Sequence, residues 1–216
     1  MARIEQYVHQ ADYSQALTTC LHGRRKWPED FKIQSAYASV LGDRAEDLPP
    51  ERRQRLKRKA AGLLKGLLPR LREVSALESL RTRNEYYYHS EQFLKQYQLG
   101  RAYGVRGLYS QGVGAAWHAK RLAEEGRKMS ARRWAERSIE AWERYFKVRP
   151  DYYNAYVHYA LVLGILSRLP EMEKALEKST ALSGRPASYR EFQEVREIVE
   201  KLAPQPSDKS RTSRRR

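Results

Sequence analysis

The sequence predicts an all-α protein, an α-solenoid of stacked antiparallel helical hairpins with about ten to eleven helices. Three observations carry this expectation. A long spaced pattern occurs twice, as PEDFKIQSAYASVLG at 28–42 and PDYYNAYVHYALVLG at 150–164, each with Tyr-Ala-x-Val-Leu-Gly placed at the same distance from its proline. After each copy comes Pro-Glu, at Pro50-Glu51 and Pro170-Glu171, which suits a first helical turn because the missing N–H costs nothing there and the carboxylate meets the positive end of the helix dipole. Finally, the apolar residues recur throughout at three- and four-residue spacing, and no strand-length run alternates.

Taken in order, residues 3–10 and 13–26 form a first helical pair, the second member placing Tyr13, Ala16, Leu17, Cys20 and Leu21 on one face. Trp27-Pro28 ends it, since the residue before proline is pushed out of the helical region. The string Asp12-Tyr13-Ser14-Gln15-Ala16-Leu17, followed by Pro28, resembles the second helix of a tetratricopeptide repeat, and Tyr37-Ala38 with Leu41 resembles the first helix of the next. The resemblance covers 12–42 and 150–184 and implies an array that binds partners.

Over 51–83, Leu56, Ala60, Leu63, Leu64, Leu67, Leu71 and Val74 make an apolar stripe, with Arg58, Lys65 and Arg72 spaced by seven on the opposite side. Pro69 should split this stretch into two helices. An aromatic segment follows, with Tyr86, Tyr87, Tyr88, Phe93, Tyr97 and Tyr103, and then a stripe of small residues, Gly112, Ala116, Ala119 and Ala123. Small residues let helices approach closely while aromatics fill the space beside them. The tyrosines therefore read first as packing, with a ligand-facing platform as the alternative. A long helix around 130–148 carries Ala131, Ala135, Ile139, Trp142 and Phe146 inward. The second motif copy follows, then a helix over 170–182 stopped by Gly184, and a capping helix over 187–202. Residues 1–203 form one repeat domain, irregular over 43–110, and 204–216 a disordered basic tail.

The formal net charge is +16, concentrated in 51–83, 95–133 and the tail, whereas 134–203 is balanced. No apolar run approaches the length of a membrane span, and the first residues mix charges with apolar side chains, so a cytoplasmic protein is expected. The single cysteine, Cys20, excludes an intrachain disulfide.

Catalytic chemistry finds no foothold in the spacing. His9, His22, His89, His118 and His158 lie in separate helical segments without the paired spacing of a metal site, and Gly112-Val113-Gly114 lacks the Gly-Lys-Ser/Thr of a phosphate loop. Neither an enzyme nor a bound cofactor or metal is expected. Two binding modes remain. In the first, a concave groove receives a peptide or partner helix. Tetratricopeptide domains that clamp a C-terminal carboxylate carry lysine and asparagine on their inner helices; the matching positions here are Ser35 and Ser39 in one copy and Val157, His158 and Leu161 in the other, which implies an apolar or aromatic groove. In the second, RNA or a ribonucleoprotein binds the basic blocks through Arg58, Lys65 and Arg72 with Arg127, Lys128, Arg132, Arg133 and the terminal Arg214, Arg215 and Arg216.

Overall fold

The computed structural model describes residues 2–10, 12–46, 48–184, 186 and 190–202. Among these, eleven α-helices follow one another with no strand. The first six are α1 (Ala2–His9), α2 (Tyr13–Lys26), α3 (Phe31–Glu46), α4 (Pro50–Leu67), α5 (Ala76–His89) and α6 (Phe93–Ala102). The remaining five are α7 (Leu108–Glu124), α8 (Lys128–Phe146), α9 (Tyr153–Ile165), α10 (Leu169–Ser183) and α11 (Arg190–Leu202). The tail expected to be disordered at 204–216, including Arg214, Arg215 and Arg216, lies outside the described residues.

Local chemistry accounts for the boundaries. The Asp12 and Asp30 carboxylates accept from the backbone N–H groups of Gln15 and Ile33, at 3.0 and 2.9 Å, capping α2 and α3. Ser75 and Glu78 form a reciprocal capping box at the start of α5, satisfying two donors that the helix leaves unpaired. Pro69 splits the 51–83 stretch as its chemistry requires: α4 ends at Leu67, and Leu68–Glu73 tighten into a 3-10 turn before α5. Gly184 stops α10 in the left-handed conformation, φ 66°, which costs a glycine little.

Consecutive helices pack as hairpins, and each hairpin stacks on the next: α7 lies against α6, α8 and α9, and α9 against α7, α8, α10 and α11. Two large apolar cores result, with a small third cluster of Phe31, Leu67 and Leu71. The larger joins α7 to α11 around Trp142, Leu161, Leu163 and Phe192; the smaller joins α1 to α4 around Ala16, Cys20, Val40 and Leu41. Glycines of α6 and α7 permit the close contact between these two helices. A Cβ on Gly114 would come within 2.6 Å of the Tyr97 backbone nitrogen, and one on Gly100 within 2.6 Å of that of Gln111. Gly112 receives the Trp142 indole, beside which the Ser138 hydroxyl donates to the Gly112 carbonyl at 2.8 Å.

Candidate partner-binding groove

Three helices that are not neighbours in sequence, α4, α7 and α11, face one another across a groove of about 760 Å³. Its walls follow from the amphipathic patterns of these helices. From α7 come Trp117, Lys120 and Glu124; from α4, Pro50 and Arg53; from α11, Arg190, Glu194, Glu197, Ile198, Lys201 and Leu202; and from α8, Lys128. The start of α11 is tied to the start of α4 and the turn before it: the Arg53 guanidinium donates to the Glu194 carboxylate, and Arg190 donates to the Leu48 carbonyl at 3.0 Å. A capping helix thus becomes one wall of the groove.

Trp117 is the aromatic component of this surface. Its ring stacks on Phe93 at 5.9 Å, and the ammonium groups of Lys57 and Lys120 lie 6.0 and 5.4 Å from its centroid, within cation–π range. The Trp117 Nε1–H has no hydrogen-bond partner. Lys120 is paired with Glu124 at 2.7 Å. Among the described residues, Lys128 and Lys201 make no ion pair, and neither does Glu197, which lines the same groove.

The groove residues expected from the second motif copy are elsewhere. Val157, His158 and Leu161 are buried in the larger core, because α9 is sandwiched between neighbouring helices and offers no open face there. His158 stacks on Trp142 at 6.1 Å with an interplanar angle of 9°, and burial pushes its pKa down to about 4. Ser35 and Ser39 are half-buried, and the Ser35 hydroxyl lies 3.3 Å from that of Thr82 in α5. These positions serve packing between hairpins. The groove between α4, α7 and α11 instead uses α11 and the start of α4, whose approach depends on how the hairpins stack, a long-range property with no local signal.

The basic candidates divide into separate groups. Arg58 and Lys65 are exposed on α4, while Arg72 is exposed on the 3-10 turn; the change of helical geometry at Leu68 breaks the seven-residue row. Arg127, Lys128, Arg132 and Arg133 are all exposed around the turn from α7 to α8. Here Arg127 stands 3.6 Å from Glu125 and Arg132 3.2 Å from Glu136. Of all these candidates only Lys128 lines the groove. The tyrosines are largely structural. Tyr97 meets Trp134 edge-on at 5.0 Å. Tyr109 contacts Trp142 and Tyr152 at 5.6 and 5.5 Å, and burial, followed by the nearby Tyr152 and Glu85, pushes its phenol pKa well up.

No helix among the described residues is long and apolar enough to cross a membrane. Compared with known proteins, the chain matches no protein-family model and no curated protein.

Proposed function

We propose that this protein is a non-catalytic, cytoplasmic helical-repeat scaffold that holds a segment of a protein partner in the groove between α4, α7 and α11. The observation that carries this reading is the pairing of an aromatic surface at Trp117 with two lysines that make no ion pair, Lys128 and Lys201, in one concave space. Large aromatic anchors carry much of the energy of protein recognition, and charges at the rim steer the encounter and select partners. The matching ligand is a segment with a large apolar side chain flanked by carboxylates. Resemblance to tetratricopeptide repeats over the two motif copies points the same way.

An affinity capture from native extract, with and without nuclease, tests it. A discrete protein partner should survive nuclease, and the variants Trp117→Ala and Lys128→Glu/Lys201→Glu should each release it. Retention by the charge-reversed protein, folded as judged by its melting curve, would remove the groove from the binding mechanism. RNA or ribonucleoprotein binding is the second reading, favoured by the clustering of Arg127, Lys128, Arg132 and Arg133 at one turn. It predicts loss of the captured material on nuclease treatment. If Arg58, Lys65 and Arg72 all contact phosphate, replacing them with glutamine lowers the slope of log affinity against log salt by about two to three.

A further inference from the structure

The first motif copy contains an arrangement that belongs to neither binding reading. Gly42 of α3 leaves a niche that is filled by the imidazole of His89 from α5; a methyl group on Gly42 would overlap the ring. His89 is 3% exposed, and neither Nδ1 nor Nε2 has a hydrogen-bond partner. Nε2 stands 3.4 Å from Glu85 Oε2, outside hydrogen-bond geometry. Asp43, the neighbour of Gly42, completes the group: one ligand atom from each of Asp43, Glu85 and His89 lies within 4.8 Å of the other two. Among the described residues this is the one such set of histidine, cysteine or acidic side chains.

Buried polar atoms are satisfied in native structures, and those that are not call for an explanation such as an ion. A buried imidazole whose nitrogens make no hydrogen bond, gathered with two carboxylates, has the composition of a cation site. Glu85 and His89 are four residues apart and share one face of α5, while Asp43 approaches from a different helix. Bonds of about 2.0–2.2 Å to nitrogen and oxygen make the edge of a tetrahedral site roughly 3.3–3.6 Å, which matches the 3.4 Å separation of Nε2 and Oε2. One imidazole with two carboxylates disfavours Mg²⁺ and Ca²⁺, which take oxygen ligands, and suits a first-row metal; Zn²⁺ lies above Mn²⁺ and Fe²⁺ in affinity for such sets. The Glu85 side chain is 24% exposed, which leaves a route in from solvent.

We propose that Asp43, Glu85 and His89 bind one Zn²⁺ ion, which clamps α3 to α5. The clamp substitutes for an apolar contact at this seam and makes the association of the N-terminal hairpins metal-dependent.

The test uses the full-length, tag-free chain, dialysed against chelator and titrated calorimetrically with ZnCl₂. Expected are one ion per chain, a melting temperature that rises with Zn²⁺ concentration, and no response to MgCl₂. Co²⁺ should give the visible absorption of a protein-bound ion. Asp43→Asn and His89→Gln should each weaken Zn²⁺ binding by at least about 100-fold, whereas His22→Gln, at an exposed position on α2, should bind as wild type. Asp43 is only half-buried, so its variant remains informative if His89→Gln fails to fold. Absence of stoichiometric binding to the wild-type chain overturns the proposal, as does unchanged affinity in Asp43→Asn.

Discussion

The two copies of Tyr-Ala-x-Val-Leu-Gly are built alike and completed differently. In both α3 and α9 the alanine, Ala38 or Ala160, is fully buried, and the Val-Leu pair that follows lies in a core. In both, the glycine makes room for a side chain from the helix two further along the chain. That side chain is His89 at Gly42 and Val199 at Gly164. The equivalent positions upstream differ in the same sense: Ser35 meets Thr82 across the α3–α5 seam, whereas its counterpart Val157 is in the apolar core. The repeated pattern sets how closely the helices approach, and the residue that enters the glycine niche sets the chemistry of the seam. An apolar seam depends on little besides burial, while a polar one depends on the partners its buried atoms find.

The largest test of this comparison is to overfill both copies. Ala160→Trp and Ala38→Trp force an indole into fully occupied space and should each cost more than about 3 kcal/mol. Hydrogen exchange should locate the damage, with Ala160→Trp opening α7 to α11 and Ala38→Trp opening α1 to α4 first. If either protein melts like wild type, the motif alanine is not the contact that sets the spacing.

Emptying the apolar seam comes next. Phe192 of α11 is fully buried, and Phe192→Ala should cost about 3–5 kcal/mol and speed exchange in α9 and α11 while leaving α1 to α3 unchanged in an equilibrium denaturation followed by exchange.

A pH effect of somewhat smaller size belongs to the same core. Burial lowers the His158 pKa from 6.5 to about 4, so between these values the unfolded chain binds a proton that the folded chain does not. Stability associated with this residue is fully present above about pH 6.5 and is lost as pH falls towards 4, by up to about 3 kcal/mol. Carboxylates titrate over part of the same range, so the measurement is the difference between wild type and His158→Phe: the variant's stability should fall less steeply between pH 6.5 and 4.

Two smaller effects sharpen the contrast between seams. In the presence of chelator, His89→Leu replaces an unsatisfied ring by an apolar side chain and should shift stability by less than about 1 kcal/mol; a large loss would mean that the ring makes an essential contact even without a metal ion. The smallest effect is expected at the paired Arg196 and Glu173 of α11 and α10, joined by hydrogen bonds of 3.0 and 2.7 Å. Both side chains are partly solvated, so Glu173→Gln should cost at most about 1 kcal/mol, less at high salt, as read from denaturant midpoints.

Much of the fold was legible because its signals are local. The three- and four-residue apolar spacing of Ala131, Ala135, Ile139 and Trp142 marks a buried helix face whatever surrounds it. Proline at 69 ends a helix through its own missing N–H and ring, and glycine at 184 stops one through its own φ freedom. The duplicated motif announced two equivalent helices, and both are central to their hairpins. The groove was not legible, because Arg53 and Glu194 are far apart in sequence and nothing near either residue encodes their approach. The metal candidate was half legible: Glu85 and His89 stand at one-turn spacing, but without Asp43 that spacing is an ordinary helical pair.

The sequence by itself determined the helices, their ends and the places where two of them pack closely, since these depend on interactions among residues within a few turns of one another. Only the tertiary structure decided which faces were used up in stacking and which stayed open. Val157, His158 and Leu161 were candidates for a surface and became core, while the last helix, which had the pattern of a cap, became the wall of a groove. The reason is geometric: in a stacked array the angle between successive hairpins accumulates, and whether distant helices such as α4 and α11 meet depends on every interface between them.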